Sequence, residues 1–236
     1  MSKTLKENSR RKSLELNRSL LVRIKDFVLE NLKNIYYVFW SDYVIAPVHA
    51  GLMRHFKDHF VLRQDARVLD IGCAIGYYRP LFQEYHYCGM DIEHARLRYA
   101  EKKHHSWFVC QSAGALGFKE ETFDLVFCVN VVHHLDDATL AKMLSQIKNV
   151  LKPDGQAVIY DVYRQPGQNF LMRMSYALDF GDYIRPLKPI QDIFHASPLA
   201  CKMDFFKNCI YDYYCARFSK GSLPGNVVLS PLPAPR

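Results

Sequence analysis

Three groups of residues in this chain of 236 can hold a ligand or move a proton. The first is Asp70-Ile71-Gly72-Cys73-Ala74-Ile75-Gly76, which continues the apolar run Val68-Leu69. Glycines there let the backbone turn sharply and let a ligand approach where a Cβ would collide. The second is Asp91, at the end of Tyr87-Cys88-Gly89-Met90. A carboxylate about 20 residues beyond such a loop reaches the 2′ and 3′ hydroxyls of a ribose. The third is the pair His133 and His134, just past Asn130-Val131-Val132. Histidine titrates near neutrality, and His133 is the candidate general base. His134 has a structural alternative, capping or orienting the next helix near Asp136 and Asp137.

The elements that must position these groups alternate. Arg67–Ile71, a short β-branched and apolar run ending at Gly72, reads as a buried strand, and Tyr87–Asp91, Trp107–Cys110, Phe123–Val129 and Gln156–Val162 read as the strands after it. Helices are expected over 77–85, 93–103 and 137–151, with a turn at Lys152-Pro153-Asp154-Gly155. That alternation predicts a doubly wound, mostly parallel sheet. Further on, 170–180 and 189–196 read as helices, and 201–206 with 211–218 as an antiparallel pair. Upstream, apolar spacing predicts helices over 13–32 and 44–60. The expected organisation is a basic helical lid over 1–62, an α/β domain over 63–220 and a proline-rich, disordered tail over 221–236.

In such a sheet, ligands sit at the carboxyl ends of the strands beside the switch point next to strand one. Asp91 indicates a nucleoside without saying which. Asp70 discriminates. A dinucleotide needs its pyrophosphate at the helix N-terminus, where an adjacent carboxylate repels it. S-adenosylmethionine carries an ammonium and a sulfonium instead, and an acid can face that positive end. The G-x-G-x-x-G spacing of nicotinamide sites is also missing, with Ala74 and Tyr77-Tyr78 in its place.

From about Val68 to Tyr160 the chain resembles the class I S-adenosylmethionine-dependent methyltransferase family, in particular its small-molecule branch, methyltransferase type 11. The loop 68–76, Met90-Asp91-Ile92, the stretch 121–126 with Asn130-Val131-Val132-His133-His134-Leu135, and Leu151-Lys152-Pro153-Asp154-Gly155 match its motifs in order. The resemblance implies a Rossmann-like, seven-stranded fold. It implies that Asp70, Gly72, Cys73, Ala74 and Gly76 wrap the methionine moiety and that Asp91 holds the ribose. Ile92, Ser112 and Ala113 would flank the adenine, and the backbone at Asn130 and Val131 would meet the ammonium. Ala74 replaces the usual middle glycine, and Ser112 stands where the family has an aspartate.

The seven cysteines are odd in number and lack CxxC spacing, so neither a metal site nor a disulfide framework is expected. No apolar run is long enough for a membrane span and the N-terminus has no signal-like core, so cytoplasmic residence is expected. The charge of +7 is concentrated in the first 33 residues. Such an arm can touch nucleic acid or an anionic membrane surface, or be simply a solvated helix face. Tyr160, Tyr163, Tyr176, Tyr183, Tyr211, Tyr213 and Tyr214 suit either a plain core or the walls of a hydrophobic acceptor site, with Tyr36, Tyr37, Trp40 and Tyr43 near it on the lid. The expected acceptor is a small or lipid-like molecule. The alternatives are RNA, or cofactor binding without turnover in the service of a partner enzyme. Nothing in the sequence sets an oligomeric state.

Overall fold

The computed structural model describes residues 46–168, 170–178 and 182–221. The expected helix over 13–32, the lid aromatics and the proline-rich tail therefore lie outside the described residues. Within them the chain runs α1 (Ala46–His59), β1 (Arg67–Ile71), β2 (His86–Asp91), α2 (His94–His104), β3 (Trp107–Cys110), β4 (Phe123–Val129), α3 (Asp137–Val150), β5 (Leu151–Val162), α4 (Phe170–Leu178), α5 (Leu187–His195), β6 (Ala200–Asn208) and β7 (Tyr211–Ser219).

The seven strands form one sheet in the order β3-β2-β1-β4-β5-β7-β6. β1 to β5 pair in parallel, and β7 runs antiparallel between β5 and β6. The fold is thus the Rossmann-like one expected from the sequence. β1 and β4 are adjacent and the order reverses between them, so their carboxyl ends open the crevice where such sheets take ligands.

The sheet separates two apolar layers. On one side Leu69, Ile71, Val126 and Cys128 pack under α3, whose Leu140, Met143, Leu144, Ile147 and Val150 share one helical face. Asp136 starts that helix by accepting from the Thr139 amide at 2.7 Å, a cap worth about 1 kcal/mol. On the other side Val68, Leu125, Phe127 and Tyr160 pack against Val48, Leu52 and Phe56 of α1. Phe56 meets Phe82 and Phe127 edge-on, at centroid distances of 5.5 and 5.1 Å.

Two elements differ from the sequence reading. The expected helix over 77–85 is a series of tight turns with one 3-10 stretch, Arg79–Phe82. Pro80 has no N–H for an α-helical bond, and the chain takes i to i+3 bonds from Arg79 to Gly76 and from Leu81 to Tyr78. The turn at 152–155 is a bulge inside β5. Pairing jumps from Phe123 opposite Leu151 to Leu125 opposite Gln156. Lys152 anchors the bulge through Asp124 at 2.7 Å. A Cβ on Gly155 would lie 2.8 Å from the Phe123 carbonyl, so only glycine fits the close approach.

Candidate active site

The loop after β1 folds back on β2. The amides of Gly72 and Cys73 both donate to the Met90 carbonyl, at 2.8 and 2.9 Å. Gly72 has φ +72°, and a Cβ there would lie 2.2 Å from Val131 Cγ2. The Val131 side chain therefore packs directly on the Gly72 backbone, a close approach that requires glycine there. Ala74 also has a positive φ, +49°, which costs a residue with a Cβ about 1 kcal/mol. Its amide is held by the Asp91 carboxylate (Oδ2, 2.9 Å), which offsets that strain.

Asp91 is buried at the end of β2, and its other oxygen accepts from the Glu93 amide at 2.9 Å. A carboxylate has about four acceptor positions, so two remain after these bonds, enough for a pair of ribose hydroxyls. Ile92 beside it is 70% exposed, leaving an apolar surface uncovered at the strand end. The end of β3 is drawn to the same place by the bond from the Gln111 amide to the Asp91 carbonyl (3.0 Å). Ser112 is exposed and turns on itself, its hydroxyl accepting from the Gly114 amide at 3.3 Å, with Ala113 half-buried between them.

Asn130 follows β4 with φ +56°. Its amide donates to the Tyr160 carbonyl (2.9 Å), and its side-chain oxygen accepts from the Tyr213 hydroxyl (2.9 Å). That second bond ties the C-terminal hairpin to the crevice. Tyr211 and Tyr176 continue from Tyr213 at centroid distances of 6.3 and 6.0 Å, an aromatic row along the carboxyl edge of the sheet.

Asp70 sits differently from the sequence expectation. Its side chain shares the sheet face of Val68, and its carboxyl accepts from the Tyr87 hydroxyl at 2.7 Å inside the protein. Burial pushes its pKa up to about 7; the Tyr87 bond pulls it down, and the neighbouring Asp91 charge raises it again. Because the folded pKa lies above the unfolded one, the neutral acid is the form that suits the fold. Stability is then fully present below about pH 4 and declines as pH rises to about 7. Asp70→Asn is expected to remove this decline and to be more stable than wild type at pH 8 by about 1–3 kcal/mol. Urea unfolding at pH 5 and 8 checks it, and equal pH slopes for both proteins would contradict it.

His133 and His134 form a single 3-10 turn with Val132. His133 is buried. Its Nδ1 lies 2.6 Å from Asp161 Oδ1, and its amide donates to Asp161 Oδ2 at 3.1 Å. His134 is exposed and stacks obliquely on it, with centroids 4.1 Å apart. Arg185 holds the same turn from outside through the carbonyls of Val132 (3.1 Å) and Leu135 (2.6 Å). An imidazole held at Nδ1 by a carboxylate can act as a base through its other nitrogen. The double attachment to Asp161 also fixes the turn that carries Asn130 and Val131.

Sequence reasoning passed over Asp161 as a partner of His133, though a lone acid in the apolar run 157–162 was a usable signal. It also missed His49, discussed below, for which no local signal exists.

Residues 69–159 match the family model described as "Methyltransferase domain". The fold agrees: β1 to β5 parallel, β7 antiparallel, and the glycine loop at the switch point. Over residues 69–159 the chain is thus similar to a methyltransferase domain, on a fold shared with solved methyltransferases. Solved structures of similar fold are S-adenosylmethionine-dependent methyltransferases, and the spare acceptor positions of Asp91 and the exposed Ile92 fit that cofactor.

Among curated proteins, the chain is 30% identical over 148 residues to an uncharacterized protein of Methanocaldococcus jannaschii, covering 63% of this chain and 60% of that one. It is 25% identical over 122 residues to phosphoethanolamine N-methyltransferase 1 of Triticum aestivum, covering 48% and 24%. It is 32% identical over 104 residues to tRNA U34 carboxymethyltransferase of Campylobacter curvus, covering 41% and 34%. The chain thus spans 60% or less of these relatives' lengths. Among solved structures, a methyltransferase of Thermotoga maritima superposes with a TM-score of 0.62 at 18% identity, over 83% of this chain and 99% of that one. Among the described residues no helix is long and apolar enough to cross a membrane.

Proposed function

We propose that the protein transfers the methyl group of S-adenosylmethionine to a small or lipid-like acceptor bound at the carboxyl edge of β4, β5 and β7. The carrying observation is the Tyr213–Asn130 bond, which joins the aromatic row Tyr176, Tyr211 and Tyr213 to the residue expected to meet the cofactor's ammonium. Tyr176 and Tyr213 are buried and Tyr211 is half-buried, so an acceptor would meet the row at Tyr211, where an aromatic wall suits an apolar or planar molecule.

S-adenosylmethionine supplies an electrophilic methyl on a cationic sulfur, open to displacement by an acceptor lone pair. The chain's task is then to position the two partners and exclude water. In this reading Asp91 holds the ribose, Ile92, Ser112 and Ala113 flank the adenine, and Gly72 to Gly76 and Asn130 with Val131 hold the amino-acid end. Asp70, buried behind the loop, supports it from below. His133, anchored to Asp161, positions the turn, and it serves as base only for an acceptor that must lose a proton. His134 covers it.

The second reading, an RNA acceptor, is favoured by the basic residues of the first 33 positions and by the tRNA-modifying activity named for the Campylobacter relative. The third is cofactor binding without turnover. Incubating the protein with methyl-labelled cofactor and either a metabolite and lipid extract or total RNA separates them. Label is expected in the small-molecule fraction. Label in RNA, with binding that falls steeply with salt, would replace this reading with the second. No transfer from a cofactor that nevertheless binds would replace it with the third.

A further inference from the structure

His49, in the first turns of α1, is the feature that neither the fold nor the cofactor contacts account for. Its side chain is 93% buried, at 7% exposure. The Nδ1 atom lies 2.6 Å from the Tyr78 hydroxyl. The ring rests on Tyr77 with centroids 4.0 Å apart and meets Tyr78 edge-on at 5.3 Å. Its other nitrogen, Nε2, is buried and makes no hydrogen bond. Buried polar atoms of native proteins are nearly always partnered, and an orphan of this kind calls for an explanation.

The place of the ring supplies one. Tyr77 and Tyr78 directly follow Gly76, the last residue of the glycine loop. α1 ends near the amino end of β1, so its first turns lie at the opposite, carboxyl edge of the sheet. The β6–β7 turn confirms this. Asn208 donates to the Val48 carbonyl at 2.7 Å, and the β7 end next to that turn pairs with the carboxyl end of β5, Tyr213 opposite Val162. His49 is therefore at the crevice edge, between the glycine loop and the hairpin that carries Tyr213. Burial holds its pKa down to about 4, so the imidazole is neutral at physiological pH. The contact with Tyr78 admits either tautomer, and the one in which the Tyr78 phenol donates to Nδ1 carries the ring proton on Nε2.

We propose that the Nε2–H of His49 donates a hydrogen bond to an oxygen of the bound ligand beside the glycine loop, with Tyr78 fixing the ring's tautomer and orientation. Two molecules can bring that oxygen: the methyl donor, through its carboxylate, or the acceptor, through a hydroxyl or carboxylate. The inference rests on the methyltransferase reading above.

The test compares wild type with His49→Phe, which keeps a ring but no nitrogen, and His49→Gln, whose amide nitrogen reaches the place of Nε2. Calorimetry reads affinity for S-adenosylhomocysteine and for 5′-methylthioadenosine, which lacks the amino-acid portion. Methyl transfer into the metabolite and lipid extract is read in parallel. If the donor's carboxylate is the partner, His49→Phe weakens S-adenosylhomocysteine roughly tenfold and leaves methylthioadenosine unchanged. If the acceptor brings the oxygen, both affinities stay and transfer falls roughly tenfold. In either case His49→Gln recovers most of the loss, which a packing role would not allow. Affinity and transfer of His49→Phe within about twofold of wild type overturn the proposal. So does a loss shared by both nucleosides and not recovered by His49→Gln. Failure of wild type to bind S-adenosylhomocysteine overturns the methyltransferase reading itself, so the two failures are distinguishable.

Discussion

Asp161→Ala is expected to lower folding stability by roughly 3–5 kcal/mol, among the largest effects of any single substitution in the domain. The carboxylate is fully buried and accepts from the His133 amide (3.1 Å), from the Val162 amide (2.7 Å) and from the His133 ring (2.6 Å). Alanine leaves all of these without a partner in a place water does not reach. The loss also spreads to the crevice, because the turn that Asp161 anchors carries Asn130 and Val131. Affinity for S-adenosylmethionine is therefore expected to fall about tenfold in protein that remains folded. His133→Ala removes the ring and its bond to Asp161 but keeps the amide bond, and a smaller loss of about 1–3 kcal/mol follows. If His133 positions the turn, its turnover falls in step with cofactor affinity. Urea unfolding together with single-turnover transfer reads both quantities. A His133→Ala protein with intact stability and affinity but no turnover would instead make His133 the base.

Asp91→Ala is expected to weaken S-adenosylmethionine by about 100-fold, roughly 3 kcal/mol of binding. It would lose the hydroxyl contacts and, at the same time, the loop that surrounds them. The Ala74 amide loses its 2.9 Å acceptor while that residue is still held at φ +49°, so the loop relaxes away from its binding shape. Asp91→Asn separates the two roles. Its single oxygen can keep one of the backbone bonds, so stability falls by about 1 kcal/mol. Affinity falls further, because a neutral amide accepts more weakly than a carboxylate. Asp91→Ala affinity within about threefold of wild type would refute the ribose contact.

β1, β4 and β5 were legible because strands buried on both faces read as short apolar runs with β-branched residues, whereas β2 has none and β3 is an edge strand whose Trp107 is 81% exposed. α3 was legible from its apolar spacing and from Asp136 ahead of it. The segment after Gly76 was misread because its apolar pattern looks helical, while Pro80 removes the bond a helix needs there. The bulge at 152–155 and the turn expected there use the same residues. Only pairing with β4 decides that the strand resumes in the same line. The site divides in a similar way. The strand-end positions of Gly72, Asp91 and Asn130 were legible, since the strands before them were. Asp70 was legible as a residue type but not in its direction. Strand alternation puts it on the face of Val68, toward a tyrosine whose proximity no local pattern reveals. His49 depends on Tyr77 and Tyr78, a contact that only folding creates.

The most direct test of the central claim is calorimetric titration of the full chain with S-adenosylmethionine, S-adenosylhomocysteine and NADH, with Asp91→Ala as control. Saturable heat is expected for the first two ligands, lost in the control, and none for NADH. Tight binding of NADH with no heat from S-adenosylmethionine would contradict it.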